Sequence, residues 1–326
     1  MITMNIAWAA LLMIAPSNGM AQVWSETAAV SAKPDVAGKE AGRKLKEACA
    51  GRAPNLVLVF QFKWSFKSDE ERQQVLDGVA ESFDRKAIYG MSMGPLNASG
   101  GKGGNVGVMA LGGVQTTVVH STLEKGKEAE SLKTLAEGLK GPYLQAAGKG
   151  RLVLILGSHG NIAKPKEILE AFQGALGKDA PLFGPGTPAE AHFHQGSLQE
   201  RALTAILLTG NFTCDFAMEE SALTSEPILE SAGKAMASAI GEKKDNIAAI
   251  LVASSEKRGH SMEKSKEGKA EITPVAAAAA TTSAPLLFVW NYGSEIAVPK
   301  AGQPAVVGKS HLNVCVIRKG EPPSDK

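Results

Sequence analysis

One strand-like apolar run occurs three times at almost constant spacing: LVLVFQF from Leu56, LVLILGS from Leu152 and IAAILVASS from Ile247. The starts lie 96 and 95 residues apart, and each run is followed by a helical segment, a short strand and a further apolar strand. A period this long exceeds any solenoid repeat, so it indicates copies of a small βαββ module that pack on one another. The expected fold is therefore mixed α/β, with mixed β-sheets built from three modules and helices packed on them.

Local signals place the elements. Ser68 precedes the acidic turn Asp69-Glu70-Glu71 and a stripe of Val75, Leu76, Val79 and Phe83, which predicts an N-capped helix over Asp69–Phe83. Helices are also expected at Gly38–Gly51, at Glu128–Ala147, after Pro165, at Glu226–Ile240 and around Ala276–Ala280. A glycine near the end of each middle strand (Gly90, Gly184, Gly293) reads as a requirement of the shared module. The organisation expected is a leader over 1–21, a polar linker over 22–35, a unit over 36–241 holding modules one and two, a unit over 242–318 holding module three, and a tail over 319–326.

Charge and termini exclude several classes of function. Lysine and arginine total 35 against 33 acidic residues, without a basic stripe, so counterion release has no source and nucleic acid is not an expected partner. Ile6–Ile14 is a short apolar run followed by Gly19-Met20-Ala21-Gln22, the pattern of a signal peptide cleaved after Ala21, although no Lys or Arg precedes it. Such a run is too short to span a bilayer, so the mature chain is expected to be exported, periplasmic or extracellular, with no membrane span. Cys49, Cys214 and Cys315 are odd in number and irregularly spaced, which reads as buried free thiols, with one disulfide open in an oxidising compartment.

Few residues invite chemistry. His192 and His194, two apart on a strand, share a face and would need a third ligand to hold a metal; otherwise they are surface histidines. His159, in Gly157-Ser158-His159-Gly160, follows a buried strand where α/β sheets place ligands, and it reads equally as a polar turn. No GxSxG elbow is present, and the glycine loop Ser99–Gly104 lacks the GK[ST] of a phosphate loop. Tyr292, Glu295 and His311 bring an aromatic ring, a carboxylate and an imidazole to one strand pair, as a pocket or as mutual satisfaction of buried groups.

Taken in order, several segments resemble the FIST-domain family, a bacterial sensory family. These are AGKEAGRKLKEACAGRAPNLVLVF, AIYGMSMG, NVGVMALGG, APLFGPGTPAEAHFHQGSL, LTAILLTGNF, and then YGSEI with SHLNVCVI, together reaching from about residue 36 to 318. The chain departs from the pattern at Gly184-Pro185-Gly186, at Ser294 and in a short C-terminal part. The resemblance implies sensing of a small-molecule ligand, such as an amino acid or related metabolite; the residues themselves lead to no expected cofactor. The expected contacts are Ser92, Ser158, His159, Ser254, Tyr292, Glu295 and His311, which follow or end core strands. Three other readings stay open: a metal-dependent hydrolase using His192 and His194, a haem-binding sensor, and a ligand-free scaffold whose clefts are filled by side chains.

Overall fold

The three apolar runs become the central strands of three sheets. The computed structural model describes residues 22–320 except 63–64, 94–95, 99–102, 158–162, 185–190, 221–227, 243, 256–281, 283, 292–293 and 310. The first part of the chain runs β1 (Trp24–Val30), α1 (Pro34–Cys49), β2 (Leu56–Phe62), α2 (Asp69–Ala80), β3 (Ile88–Met93), β4 (Leu96–Ala98), β5 (Gly103–Gly104) and β6 (Val106–Gly112). The second runs β7 (Gln115–Thr122), α3 (Glu128–Gln145), β8 (Gly150–Gly157), α4 (Pro165–Leu176), β9 (Leu182–Phe183), β10 (Ala191–His194), β11 (Ser197–Gln199) and β12 (Ala202–Gly210). The third runs β13 (Phe212–Glu220), α5 (Ile228–Ile240), β14 (Ile247–Ser255), β15 (Leu286–Asn291), β16 (Ser294–Ala297), β17 (Val306–Lys309) and β18 (His311–Lys319).

Each sheet contains a four-strand core of the same order: β1-β6-β2-β3, β7-β12-β8-β9 and β13-β18-β14-β15. In every core the last pair is parallel and the other pairings are antiparallel. The fold is mixed α/β, as expected. Strands covered on both faces read as unbroken apolar runs rather than alternating ones. In β2, Leu56, Leu58 and Phe60 enter the large core shared by the sheets, while Val57 and Val59 lie with Leu45 of α1 and Leu76 of α2.

Ser68 caps α2 as the sequence predicts, and the cap is a full capping box: Ser68 Oγ accepts from Glu71 N, and the Glu71 carboxylate accepts from Ser68 N. Residues 22–35 are not a linker. They contain edge strand β1, paired with β6 from Trp24 to Val30, and Pro34 sets the first turn of α1. The third sheet likewise takes β13 from before residue 241, so its core does not begin at 242. The helix expected around Ala276–Ala280 lies outside the described residues.

Hairpins inserted between the middle and last strands pass from one sheet to another. The β4–β5 pair joins the third sheet through β15, β10–β11 joins the first through β3, and the β16–β17 ribbon meets the second where Ile296 bridges Gly184. The exchange is cyclic. A further tie crosses from first sheet to third, where Ser25 Oγ donates to Ala248 O at 2.5 Å.

Two glycines hold equivalent places: a side chain at Gly90 would strike Val59 O, and one at Gly184 would strike Ile155 O. Close strand approach therefore requires glycine there. In the third sheet that rung is Phe288, opposite Val252, rather than Gly293, which is outside the described residues. Cys49 and Cys315 are buried and Cys214 half-buried, all as free thiols. Among the described residues no helix is long and apolar enough to cross a membrane.

Helices α1 and α2 touch backbone to backbone, because a Cβ at Gly38 would enter the Val75 carbonyl and one at Gly78 would enter Gly38 and Lys39. Gly78→Val is expected to cost about 2 to 3 kcal/mol by overpacking, read as a lower urea midpoint. Gly141→Val, where a Cβ meets open space, is the helix control.

Candidate functional site

The centre of the molecule is filled. Leu58 and Phe60 of β2, Leu154 and Leu156 of β8, and Leu251 and Ala253 of β14 come from the three central strands and surround an apolar cavity of about 20 Å³. That admits about one water-sized sphere, far less than the ~300 Å³ at which ligand pockets begin.

A larger concavity lies on the third sheet. Residues of β13, β18, α5 and the Pro299–Ala301 turn enclose a groove of about 470 Å³. Its floor is apolar, with Phe216, Ala217, Ala235 and Ala239 all buried. Arg318 stands buried in the wall. Its guanidinium pairs with Asp215, donates to Asn246 Oδ1 at 3.0 Å, and donates to the carbonyls of Ala239 and Ile240 at 3.0 and 2.7 Å, closing the end of α5. A cation there also meets the negative end of the helix dipole. Lys300 and Glu242 line the same groove, and neither has an ion-pair partner among the described residues.

A second polar feature lies where the first and second sheets face each other. Thr204 of β12 stands opposite His120 of β7, and β10 lays His192 and His194 over them. Thr204 Oγ1 is 3.0 Å from His120 Nδ1, 2.8 Å from His192 Nε2 and 3.3 Å from His194 Nδ1. The His120 and His194 rings stack with centroids 4.0 Å apart, and Tyr89 meets His194 edge-on at 5.4 Å. A hydroxyl has one hydrogen and two lone pairs. One ring nitrogen therefore accepts from Thr204 and the other two donate to it.

All three rings are held neutral. Burial, reinforced by the neighbouring imidazoles, pushes His192 down to about 3 and His194 down to about 4, and burial lowers His120. His192 Nδ1 is buried without a hydrogen-bond partner. A proton on Nε2 avoids an orphaned N–H at that atom, the costlier of the two arrangements.

His192 is fully buried and His194 half-buried, so neither is the exposed histidine expected from sequence. Both residues of the Thr204–His192 contact are 0% exposed. Among the described residues no group of His, Cys, Asp or Glu is arranged to hold a metal ion. His120 lies in β7, whose polar sequence gives no strand signal, and Thr204 is a lone hydroxyl within the apolar run of β12.

Four of the seven expected contacts, Ser92, Ser254, Glu295 and His311, fall among the described residues. Ser92 is fully buried in β3 beside Gln61 of β2; its Oγ and Gln61 Oε1 lack partners. Ser254 in β14 pairs with Leu312, one residue beyond His311, so these two share an end of the third sheet. Glu295 lies on the ribbon, opposite Gly308, in a strand that packs against β14. Ser158, His159 and Tyr292 fall outside the described residues.

The FIST N domain model matches residues 55–227, more than half of the chain. This chain belongs to the FIST family. No curated protein matches this FIST sequence. Among solved structures, the FIST chain is similar to cyanuric acid hydrolase from A. caulinodans, with 10% identity, a TM-score of 0.47, and coverage of 92% of this chain and 99% of that one.

The histidine hub yields a direct expectation for this FIST protein. Thr204→Val leaves ring nitrogens buried without their common partner and is expected to cost about 3 kcal/mol, whereas Thr204→Ser keeps the hydroxyl and most of the stability. Urea unfolding of the two variants separates them.

Proposed function

We propose that this FIST protein is an exported small-ligand-binding protein of sensory type, without a catalytic step of its own, whose ligand is a small zwitterion such as an amino acid or related metabolite. The family is one of small-ligand sensory domains. The observation that carries the reading is the groove beside Arg318. It has the size of a ligand pocket and an apolar floor. It also offers one cation, Lys300, and one carboxylate, Glu242, that no described residue neutralises. A zwitterion presents the complementary pair of charges.

Export is part of the proposal. Cleavage after Ala21 would leave β1, which starts at Trp24, whole and paired with β6. N-terminal sequencing of the secreted protein is expected to begin at Gln22. A chain that starts at Met1 after secretion overturns the leader.

A second reading, a scaffold that binds nothing, draws on the filled centre, where side chains leave only the small cavity between the three ladders. Thermal-shift screening against amino acids and small carboxylates decides between the two. Ligand binding is expected to raise the Tm, and Lys300→Ala and Glu242→Ala are each expected to weaken the response about tenfold, the effect of ~1.4 kcal/mol. Absence of stabilisation by every compound at millimolar concentration supports the scaffold.

A further inference from the structure

We propose that the Thr204 hub is an acid-opened seam between the first and second sheets, through which proton concentration controls how firmly the β10–β11 hairpin is seated. The argument is a count of hydrogen-bonding capacity. Three ring nitrogens meet one hydroxyl oxygen, from two different sheets. When the rings are neutral, two donate and one accepts, which matches the two lone pairs and single hydrogen of Thr204 Oγ1. Protonation of the accepting ring turns it into a third donor. The oxygen has no lone pair left for it, and the hydroxyl hydrogen loses its acceptor.

The surroundings offer an imidazolium no relief. From β3 the cluster is faced by the Tyr89 phenol, which burial keeps in its neutral form, and from β12 by Thr204. From β7 and β10 come the imidazoles themselves. The buried stretch Leu152–Leu156 of β8, which also packs near β10, is apolar, and Arg151 of that strand lies over the Tyr143 ring of α3. No carboxylate is among the groups that shift any of the three rings. A charge on His120 or His194 would instead sit 4.0 Å, centroid to centroid, from a second imidazole.

The direction follows from linkage. Imidazoles that stay neutral in the closed seam take up protons once it opens, so closure is fully favoured above the ordinary histidine range near 6.5. It then weakens as pH falls toward the depressed values in the closed state, by up to about tenfold per pH unit for each ring released. The hairpin is the element that moves, because β10 carries two of the rings and its other neighbours are β3 and β11. The device does not depend on the groove or its ligand.

Hydrogen exchange on the full mature chain at pH 7.5 and pH 5.0, corrected for the intrinsic pH dependence, tests the seam. Peptides covering β7, β10 and β11 are expected to exchange at least tenfold faster at pH 5.0, while those covering β14 and β18 hold their protection. Unchanged exchange in β10, or a uniform rise across all three sheets, overturns the proposal. His120→Gln removes one titrating ring and is expected to flatten the local response. Should that variant fail to fold, ¹⁵N NMR of the wild-type imidazoles serves instead. Fixed neutral tautomers at pH 6 support the seam, and free titration near 6.5 with no loss of protection refutes it.

Discussion

Two of the three large sheets are completed by a hairpin taken from elsewhere in the chain, the second sheet meets its ribbon at one bridge, and the rest of the architecture depends on that exchange. The second part lends β10–β11 to the first sheet, the first lends β4–β5 to the third, and the third lends β16–β17 toward the second. Each loan supplies backbone partners to a strand that would otherwise present a bare edge, the feature most prone to unwanted pairing. The same circuit presses three apolar strand faces together at the centre, which is why little room is left there. Polar features are displaced outward, to the seam between two sheets and to the groove behind α5.

The strongest parts of the fold were legible because they rest on local chemistry. A doubly covered strand such as Leu152–Leu156 must be apolar throughout, and a capped helix such as α2 announces its start through Ser68 and Glu71. Strands β1, β7 and β13 were not legible. Each is an edge strand of its core, with one covered face and many threonine, serine or charged side chains, so its sequence resembles a polar connection. Their pairing is decided by partners about 80 to 100 residues away, as in Trp24 with Gly112, and no local window contains that information.

The same limit governed the polar sites. The HFH motif correctly placed two histidines on one strand face, yet their burial depends on β12 and their third companion on β7. Arg318 gave no signal in sequence at all, because its role is to close a helix that ends almost eighty residues earlier. Of the expected contacts, Ser254 and His311 meet at one end of the third sheet. Ser92 lies under α2 of the first sheet and Glu295 lies on the ribbon that meets the second.

The circuit also sets a timetable for biosynthesis. Leu96–Ala98 leaves the ribosome early, yet its only long strand partner, Leu286–Asn291, is made near the end of translation. Until then the nascent polypeptide carries an unfinished edge and cannot close its ring.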